Sequence, residues 1–197
     1  MGKGRIEAFS DGVIAIIITI MVLELKVPHG SDFASLRPLL PVFLSYALSF
    51  IYVGIYWNNH HHLLHAVQQV DGRAMWANLF FLFWLSLFPF ATAWMGENHF
   101  TPLPTAMYGV VLLITAVSWI PLARTLICSN GGADGVLGRA LGGRGGDWKV
   151  KASLLVYALA IPLAFYLPVL SCALYALVAL LWIVPDRRIE LHLKHSV

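Results

Sequence analysis

Long runs of apolar residues, separated by short polar or turn-forming segments, dominate the pattern along the chain. Each run approaches the roughly 20 residues that a helix needs to cross the hydrocarbon core of a bilayer. Because lipid offers no partner for unpaired backbone groups, each run is predicted to be a transmembrane helix. The predicted helices cover residues 6–27, 39–57, 75–94, 105–122, 152–167 and 170–184. The last two are short, and Pro168 separates them, which indicates a tight helical hairpin.

Composition agrees with this pattern. Of the 197 residues, 59% are hydrophobic and only 12% are charged, against about 45–50% and about 25% in soluble domains. The expected fold class is therefore an all-α membrane protein, with residues 1–197 forming one six-helix transmembrane domain. The long connection at residues 129–147 is rich in glycine and polar residues, which predicts a flexible loop. No nucleic-acid partner is expected.

The distribution of Lys and Arg predicts an orientation. If the chain begins in the cytoplasm, eleven of its 13 basic residues lie on the cytoplasmic side, and only Lys26 and Arg37 lie outside. Short cytoplasmic loops of membrane proteins carry such an excess of positive charge. We therefore expect a multi-pass protein of the cell membrane with both termini in the cytoplasm.

The first predicted helix carries an unusual stripe. At 100° per residue, the stripe lies roughly 120° away from Asp11 on the helical wheel. A mainly aliphatic stripe with a single hydroxyl is, on spacing alone, typical of a face that meets lipid or the protein core. The stripe consists of Arg5, Gly12, Ile16, Thr19, Ile20 and Leu23.

Asp11 needs a partner, because a charged side chain at the centre of a membrane costs about 2.5–3.5 kcal/mol on insertion scales. The second helix ends, and the third begins, at a similar depth, with a group of polar and aromatic residues. Histidine can donate to a carboxylate, and asparagine can both donate and accept. We expect a buried polar network around the first helix. Its predicted members are Arg5, Phe9, Ser10, Asp11, Trp57, His60, His61 and Asn78.

These polar residues do not predict a metal centre or an enzyme. His61 and His65 have the i, i+4 spacing of a zinc site, but no carboxylate or cysteine is near them in sequence and no HExxH motif is present. Ser10 and Asp11 are adjacent, so their side chains point about 100° apart on a helix. We expect no catalytic residue, no metal and no cofactor.

The segment RIEAFSDGVIAIIITIMVLEL, residues 5–25, resembles the signature of the prokaryotic relatives of transmembrane protein 175, the lysosomal and endosomal potassium channel. The family pattern is roughly R-x-x-x-F-S-D-x-x-x-A-I. The stretches YWNNHH, residues 56–61, and ANLFFLFWLSLFPFATAWMGE, residues 77–97, also resemble the second and third helices of this family. The residues that fit the first pattern are Arg5, Phe9, Ser10, Asp11, Ala15 and Ile16.

The resemblance implies a channel that conducts potassium ions and prefers them only modestly to sodium. It implies a homotetramer in the bilayer, with four first helices lining a central pore. By position after the motif, Ile16 would form the narrowest ring of a hydrophobic gate, and Ile20 and Leu23 would follow outward. Thr19 would supply the hydroxyl ring for selectivity. The alternative is a proton-coupled secondary transporter that uses Asp11 and the His60–His62 cluster, since ionisable groups in membranes often form proton relays.

Overall fold

The computed structural model describes residues 2–141 and 147–183. Within them the chain is helical, and no strand occurs. The longer helices are α1 (Lys3–Leu23), α2 (Leu40–His65), α3 (Gly72–Leu85), α4 (Phe88–Glu97), α5 (Pro102–Ser129), α7 (Asp147–Leu163) and α8 (Pro168–Ile183). Short 3-10 turns at Phe33–Leu39 and Gly132–Asp134 and a short helix α6 (Val136–Leu141) complete the described part.

Length and composition allow four segments of the described chain to cross a membrane: 3–23, 33–65, 72–97 and 102–129. The last two helices have 17 and 16 residues, so they are shorter than the ~20 residues of a typical span. Four residues, 164–167, join them, and they pack against each other as the predicted hairpin. Residue 184 and both chain termini lie outside the described residues.

The third predicted helix, residues 75–94, is divided in the structure into α3 and α4. Pro89 has no N–H to donate to the carbonyl four residues earlier, so a continuous helix would lose a hydrogen bond here. The Ser86 hydroxyl donates to the Phe83 carbonyl at 2.7 Å and competes with the backbone ladder. The break therefore follows from two residues inside an otherwise apolar run.

The segment predicted as a flexible loop, residues 129–147, contains some regular structure. The 3-10 turn and α6 occupy part of it, and its residues 142–146 lie outside the described residues. The side chain of Asn130 joins the end of α5 to the α2–α3 connection, where it accepts hydrogen bonds from the backbone N–H groups of Gln68 and Gln69 at 2.8 and 2.9 Å.

Polar side chains in the interior satisfy one another across helices. The Ser49 and Tyr108 hydroxyls lie 2.9 Å apart, and Thr92 donates to Ser49 at 2.6 Å. The Tyr157 hydroxyl donates to that of Tyr52 at 3.1 Å. Such bonds contribute about 0.6–2 kcal/mol each in a membrane, so they fix the relative positions of α2, α4, α5 and α7.

Small residues bring helices close together. A Cβ atom added to Gly96 would overlap the Ser45 hydroxyl and the Val42 backbone on α2. A Cβ atom at Gly109 on α5 would overlap the Tyr175 ring of α8. Close approach at small residues is a main source of packing energy between helices in lipid. By contrast, α1 lies at the edge of the bundle and packs on α2, α3 and α4.

Candidate functional site

Two faces of α1 differ in burial. The buried face contacts the bundle through Ile6, Ser10, Ile14, Ile17 and Met21. On the opposite side, the exposed positions 9, 12, 16, 19 and 23 recur at alternating steps of three and four residues. This 3.5-residue period is the spacing of helices that pack side by side in a left-handed bundle. The exposed face of α1 thus offers the spacing of a packing surface, as any continuous helix face does, and no other helix of the described chain covers it.

The predicted stripe lies on this exposed face. Ile16 is 58% exposed, Ile20 41% and Leu23 80%. Thr19 is exposed as well, and its hydroxyl donates to the Ile16 carbonyl of the same helix at 2.9 Å. Because the hydroxyl hydrogen is used inside the helix, the oxygen lone pairs of Thr19 remain available to an external donor or cation.

At the end of the bundle where α1 begins, hereafter the N-terminal side, a buried chain of polar groups joins three helices. The Asn78 amide of α3 donates to the Ser10 hydroxyl of α1 at 2.9 Å. The Asn78 carbonyl oxygen lies 2.7 Å from Nε2 of His60 on α2. Since the Asn78 oxygen can only accept, the His60 ring must carry its proton on Nε2. All three side chains are at most 1% exposed.

A second, more exposed group lies beside the first. Trp57 of α2 donates its indole N–H to the Asp11 carboxylate at 3.1 Å. Nδ1 of His61 lies 3.3 Å from the Glu7 carboxylate. The rings of Trp57 and His61 stack, with centroids 6.2 Å apart. This group therefore ties the polar edge of α1 to α2 through two carboxylates.

The predicted network is thus two groups, and two of its predicted members belong to neither. Phe9 is 53% exposed, and the exposed Arg5 side chain forms no hydrogen bond or ion pair with any described residue. Arg5 belongs to the stripe, and Phe9 lies beside Ile16 on the helical wheel, so both are outside the two groups. The acid nearest to Arg5 in sequence, Glu7, pairs with His61.

Comparisons with known proteins bear on these same helices. The sequence model described as "Endosomal/lysosomal potassium channel TMEM175" matches residues 5–89. A potassium channel of Chryseobacterium sp. (strain P1-3) is 52% identical over 196 residues, with full coverage of both chains. A potassium channel of Streptomyces collinus is 33% identical over 192 residues, which cover 90% of each chain.

The chain belongs to the TMEM175 family. Its fold also matches the crystal structure of a homologue, from Chamaesiphon minutus, of the lysosomal potassium-selective channel TMEM175. The TM-score is 0.75, and the identity is 27% over 93% of this chain and 97% of that one. The described chain is accordingly an all-helical, multi-pass membrane protein. Human TMEM175, described as a proton channel, is 40% identical over 87 residues, which cover 17% of its length.

The part that matches the TMEM175 model, residues 5–89, contains every site residue predicted from the sequence. Sequence reasoning missed two contacts at the N-terminal side: the Glu7–His61 pair and the bond from Lys3 Nζ to the His65 carbonyl at 2.7 Å. A signal existed, because Lys3, Glu7 and Asp11 recur every four residues on one edge of α1. Within the described ranges, no group of three His, Cys, Asp or Glu residues could hold a metal ion.

Proposed function

We propose that this chain is the subunit of a potassium channel in which four copies surround a common axis. The exposed stripe of α1 faces that axis and lines the ion path. Two bacterial relatives that match 100% and 90% of this chain are described as potassium channels, which supports the proposal. One observation carries it: the exposed face of α1 combines a packing period with Ile16, Ile20 and Leu23 on the surface of the subunit.

The small and polar residues on the exposed face favour a position at a central axis over contact with lipid. Arg5, Gly12 and Thr19 form one column at seven-residue intervals, and an aromatic and two aliphatic residues form the neighbouring column at positions 9, 16 and 23. Helices that cross at about +20° in four-helix bundles meet through two such columns. A face toward lipid would contain such columns as well, but it requires neither a hydroxyl nor a glycine among its apolar residues.

Ile16 is the proposed constriction. It lies 13 residues from the start of α1, about 20 Å along the helix axis. Four isoleucine side chains around an axis make an apolar ring that can close by dewetting, with no charged gate. Ile20 and Leu23 extend this apolar section outward, and a small rotation of the apolar part of α1, residues 13–23, opens it.

Thr19 is the proposed selectivity residue. Its oxygen lone pairs can replace part of the hydration shell of a potassium ion, since its proton is donated to the Ile16 carbonyl. One ring of four hydroxyls offers few ligands, so the preference over sodium is modest. The protein needs no cofactor beyond the permeant ion and acts as a channel and not as an enzyme.

The proposed topology has six crossings, with both termini in the cytoplasm of a cell-membrane protein. The excess of Lys and Arg on the N-terminal side supports this orientation. The hairpin α7–α8 supplies the last two crossings, because its 17 and 16 residues span about 24–26 Å at 1.5 Å per residue. Local thinning of the bilayer can accommodate the small difference between this length and a hydrocarbon thickness of about 30 Å.

Potassium flux into liposomes that contain the purified protein tests the proposal. We expect Ile16→Asn to raise flux several-fold, because an amide wets the constriction. Leu159→Asn is a matched control: Leu159 is 59% exposed and lies at a similar distance from the N-terminal side, but on α7. No flux by the parent protein, or equal flux of both variants and parent, contradicts the proposed pore.

The selectivity assignment has its own test. Thr19→Val should lower the potassium-to-sodium permeability ratio, because it removes the ring of oxygen atoms and keeps the side-chain volume. Thr19→Ser keeps the hydroxyl and should retain the ratio. An unchanged ratio in Thr19→Val removes Thr19 from the selectivity mechanism while leaving the pore intact.

Proton-coupled transport is the second candidate, favoured by the Asp11 and His60–His62 groups and by the description of human TMEM175 as a proton channel. In the structure, His60 is buried against Asn78, whereas His61 pairs with Glu7. A coupled transporter saturates with potassium and stops without a proton gradient. The channel that we propose conducts potassium without such a gradient, and the same liposomes distinguish the two.

A further inference from the structure

A groove of about 330 Å³ lies between α2 and α8, in the half of the bundle nearer to the N-terminal side. Its volume lies at the low end of the roughly 300–1,000 Å³ typical of small-molecule sites. The groove is lined by Ile51, Gly54, Ile55, Asn58, Asn59, Trp182 and Ile183.

Two amides in the groove lack partners. Asn58 and Asn59 are half-buried, and their side chains form no hydrogen bond within the described part of the chain. Each amide offers two N–H donors and a carbonyl acceptor. The pair therefore offers several donors to an occupant that carries hydrogen-bond acceptors.

The opposite wall is fixed in place and carries positive charge on its rim. Trp182 donates its indole N–H to the Ser153 hydroxyl at 2.9 Å. Lys149 Nζ lies 5.7 Å from the centre of the Trp182 ring and donates to the Leu181 carbonyl at 3.3 Å. Tryptophan is enriched where membrane helices meet the headgroup region. The groove therefore lies at the level of the lipid headgroups and glycerol backbones.

We propose that the groove binds a glycerophospholipid from the leaflet on the N-terminal side. The ester carbonyls accept hydrogen bonds from Asn58 and Asn59, and the phosphate lies toward Lys149. The groove holds only the glycerol region, and the acyl chains continue over exposed apolar side chains such as Ile51 and Leu180. Because of the positive rim, an anionic headgroup binds more tightly than a zwitterionic one. The site is independent of whether α1 lines a pore.

Gly54 provides a direct way to close the groove. A Cβ atom added there would meet no other atom within 4 Å, so the backbone tolerates a side chain. Gly54→Leu fills the apolar part of the groove and leaves both amides in place. The double variant Asn58→Leu, Asn59→Leu removes the donors instead. Gln68→Leu is the matched control, because it removes an exposed amide from the α2–α3 connection, away from the groove.

The test is native mass spectrometry of the delipidated full-length protein, titrated with phosphatidylglycerol and, separately, phosphatidylcholine. We expect phosphatidylglycerol to bind the parent protein and Gln68→Leu alike, and about tenfold more weakly to Gly54→Leu and the double variant. If the double variant does not fold, Gly54→Leu decides. Equal binding to all variants overturns the proposal. Competition by glycerol phosphate or inorganic phosphate would also overturn it, because the site would then bind a soluble anion. A changed subunit number in Gly54→Leu would overturn it as well, because the groove would then be a subunit interface.

Discussion

The two halves of α1 are held in different ways. Residues 3–12 have a polar contact to another helix at nearly every turn. These contacts are Lys3 to the His65 carbonyl, Glu7 to His61, Ser10 to Asn78 and Asp11 to Trp57. Residues 13–23 pack on the bundle through Ile14, Ile17 and Met21, and the hydroxyl of Thr19 bonds within its own helix.

The two kinds of contact explain how one part of α1 can be fixed while the other part can move. Hydrogen bonds are directional, so the polar half determines which face of α1 turns toward the bundle. Contacts between aliphatic side chains have little angular preference, and in lipid no hydrophobic force between helices strengthens them. Under the proposed function, the apolar half contains the constriction at Ile16. A small rotation there would change the pore while the polar half keeps its contacts.

The largest expected effect comes from a polar group in the buried apolar half. Ile17 is 3% exposed, so Ile17→Asn buries an amide without a partner and loses apolar packing. We expect a loss of about 2–4 kcal/mol in the free energy of unfolding. The neighbouring Ile16→Asn, at a 58% exposed position, should leave stability nearly unchanged. Thermal unfolding in detergent compares them, and equal losses would contradict the assignment of the two faces.

A smaller effect is expected from the buried polar chain. Asn78→Leu keeps the side-chain volume but leaves the Ser10 hydroxyl and the His60 N–H without their partner. We expect a loss of about 1–2 kcal/mol in unfolding free energy, together with altered gating of the potassium flux. Trp57→Phe removes only a half-exposed hydrogen bond to Asp11 and is the control. If Asn78→Leu unfolds like the parent protein, the polar half of α1 does not depend on the hydrogen bonds between Ser10, Asn78 and His60.

Much of the fold follows from the sequence, because the length of an apolar run determines whether it can cross a bilayer. Each of the six predicted runs overlaps an observed helix, although one is broken, the ends differ by up to eight residues and only four segments of the described chain are long enough to span by themselves. The break at Ser86–Leu87 depends on Pro89, whose effect on a membrane helix varies with its neighbours. Ile16, Thr19 and Leu23 lie on one exposed face of α1. The helical wheel places them on one stripe, because the angle between residues in a helix is fixed.

The partners in the site were less predictable. The sequence predicts Asp11, the histidines and Asn78 at a similar depth in the membrane. Depth does not determine the direction in which each side chain points around its helix axis. Which of His60 and His61 turns inward depends on how α2 rotates against α3, and the rotation follows from packing around Phe81 and Trp119, far away in sequence. Hence the structure contains two polar groups where the sequence predicted one.

The smallest expected effect concerns the ion pair beyond the C-terminal end of α1. Lys26 Nζ lies 2.6 Å from the Glu97 carboxylate, and the side chains are 76% and 45% exposed. The hydrogen bond that Lys26 donates to the Glu97 carboxylate, together with the negative charge of that group, raises the pKa of Lys26. A raised pKa of a basic group stabilises the folded state below its unfolded pKa of about 10.4 and ceases to do so as pH rises through the folded value. Exposed ion pairs contribute little in water.

We therefore expect Glu97→Gln to lower the melting temperature only slightly and equally between pH 6 and pH 9, with the difference vanishing at still higher pH. The control is Asn98→Gln, a neutral change of the adjacent residue. A large loss of stability in Glu97→Gln would mean that α1 is held by polar contacts at both ends. The apolar half would then be clamped on each side, and a rotation confined to it could not open the constriction at Ile16.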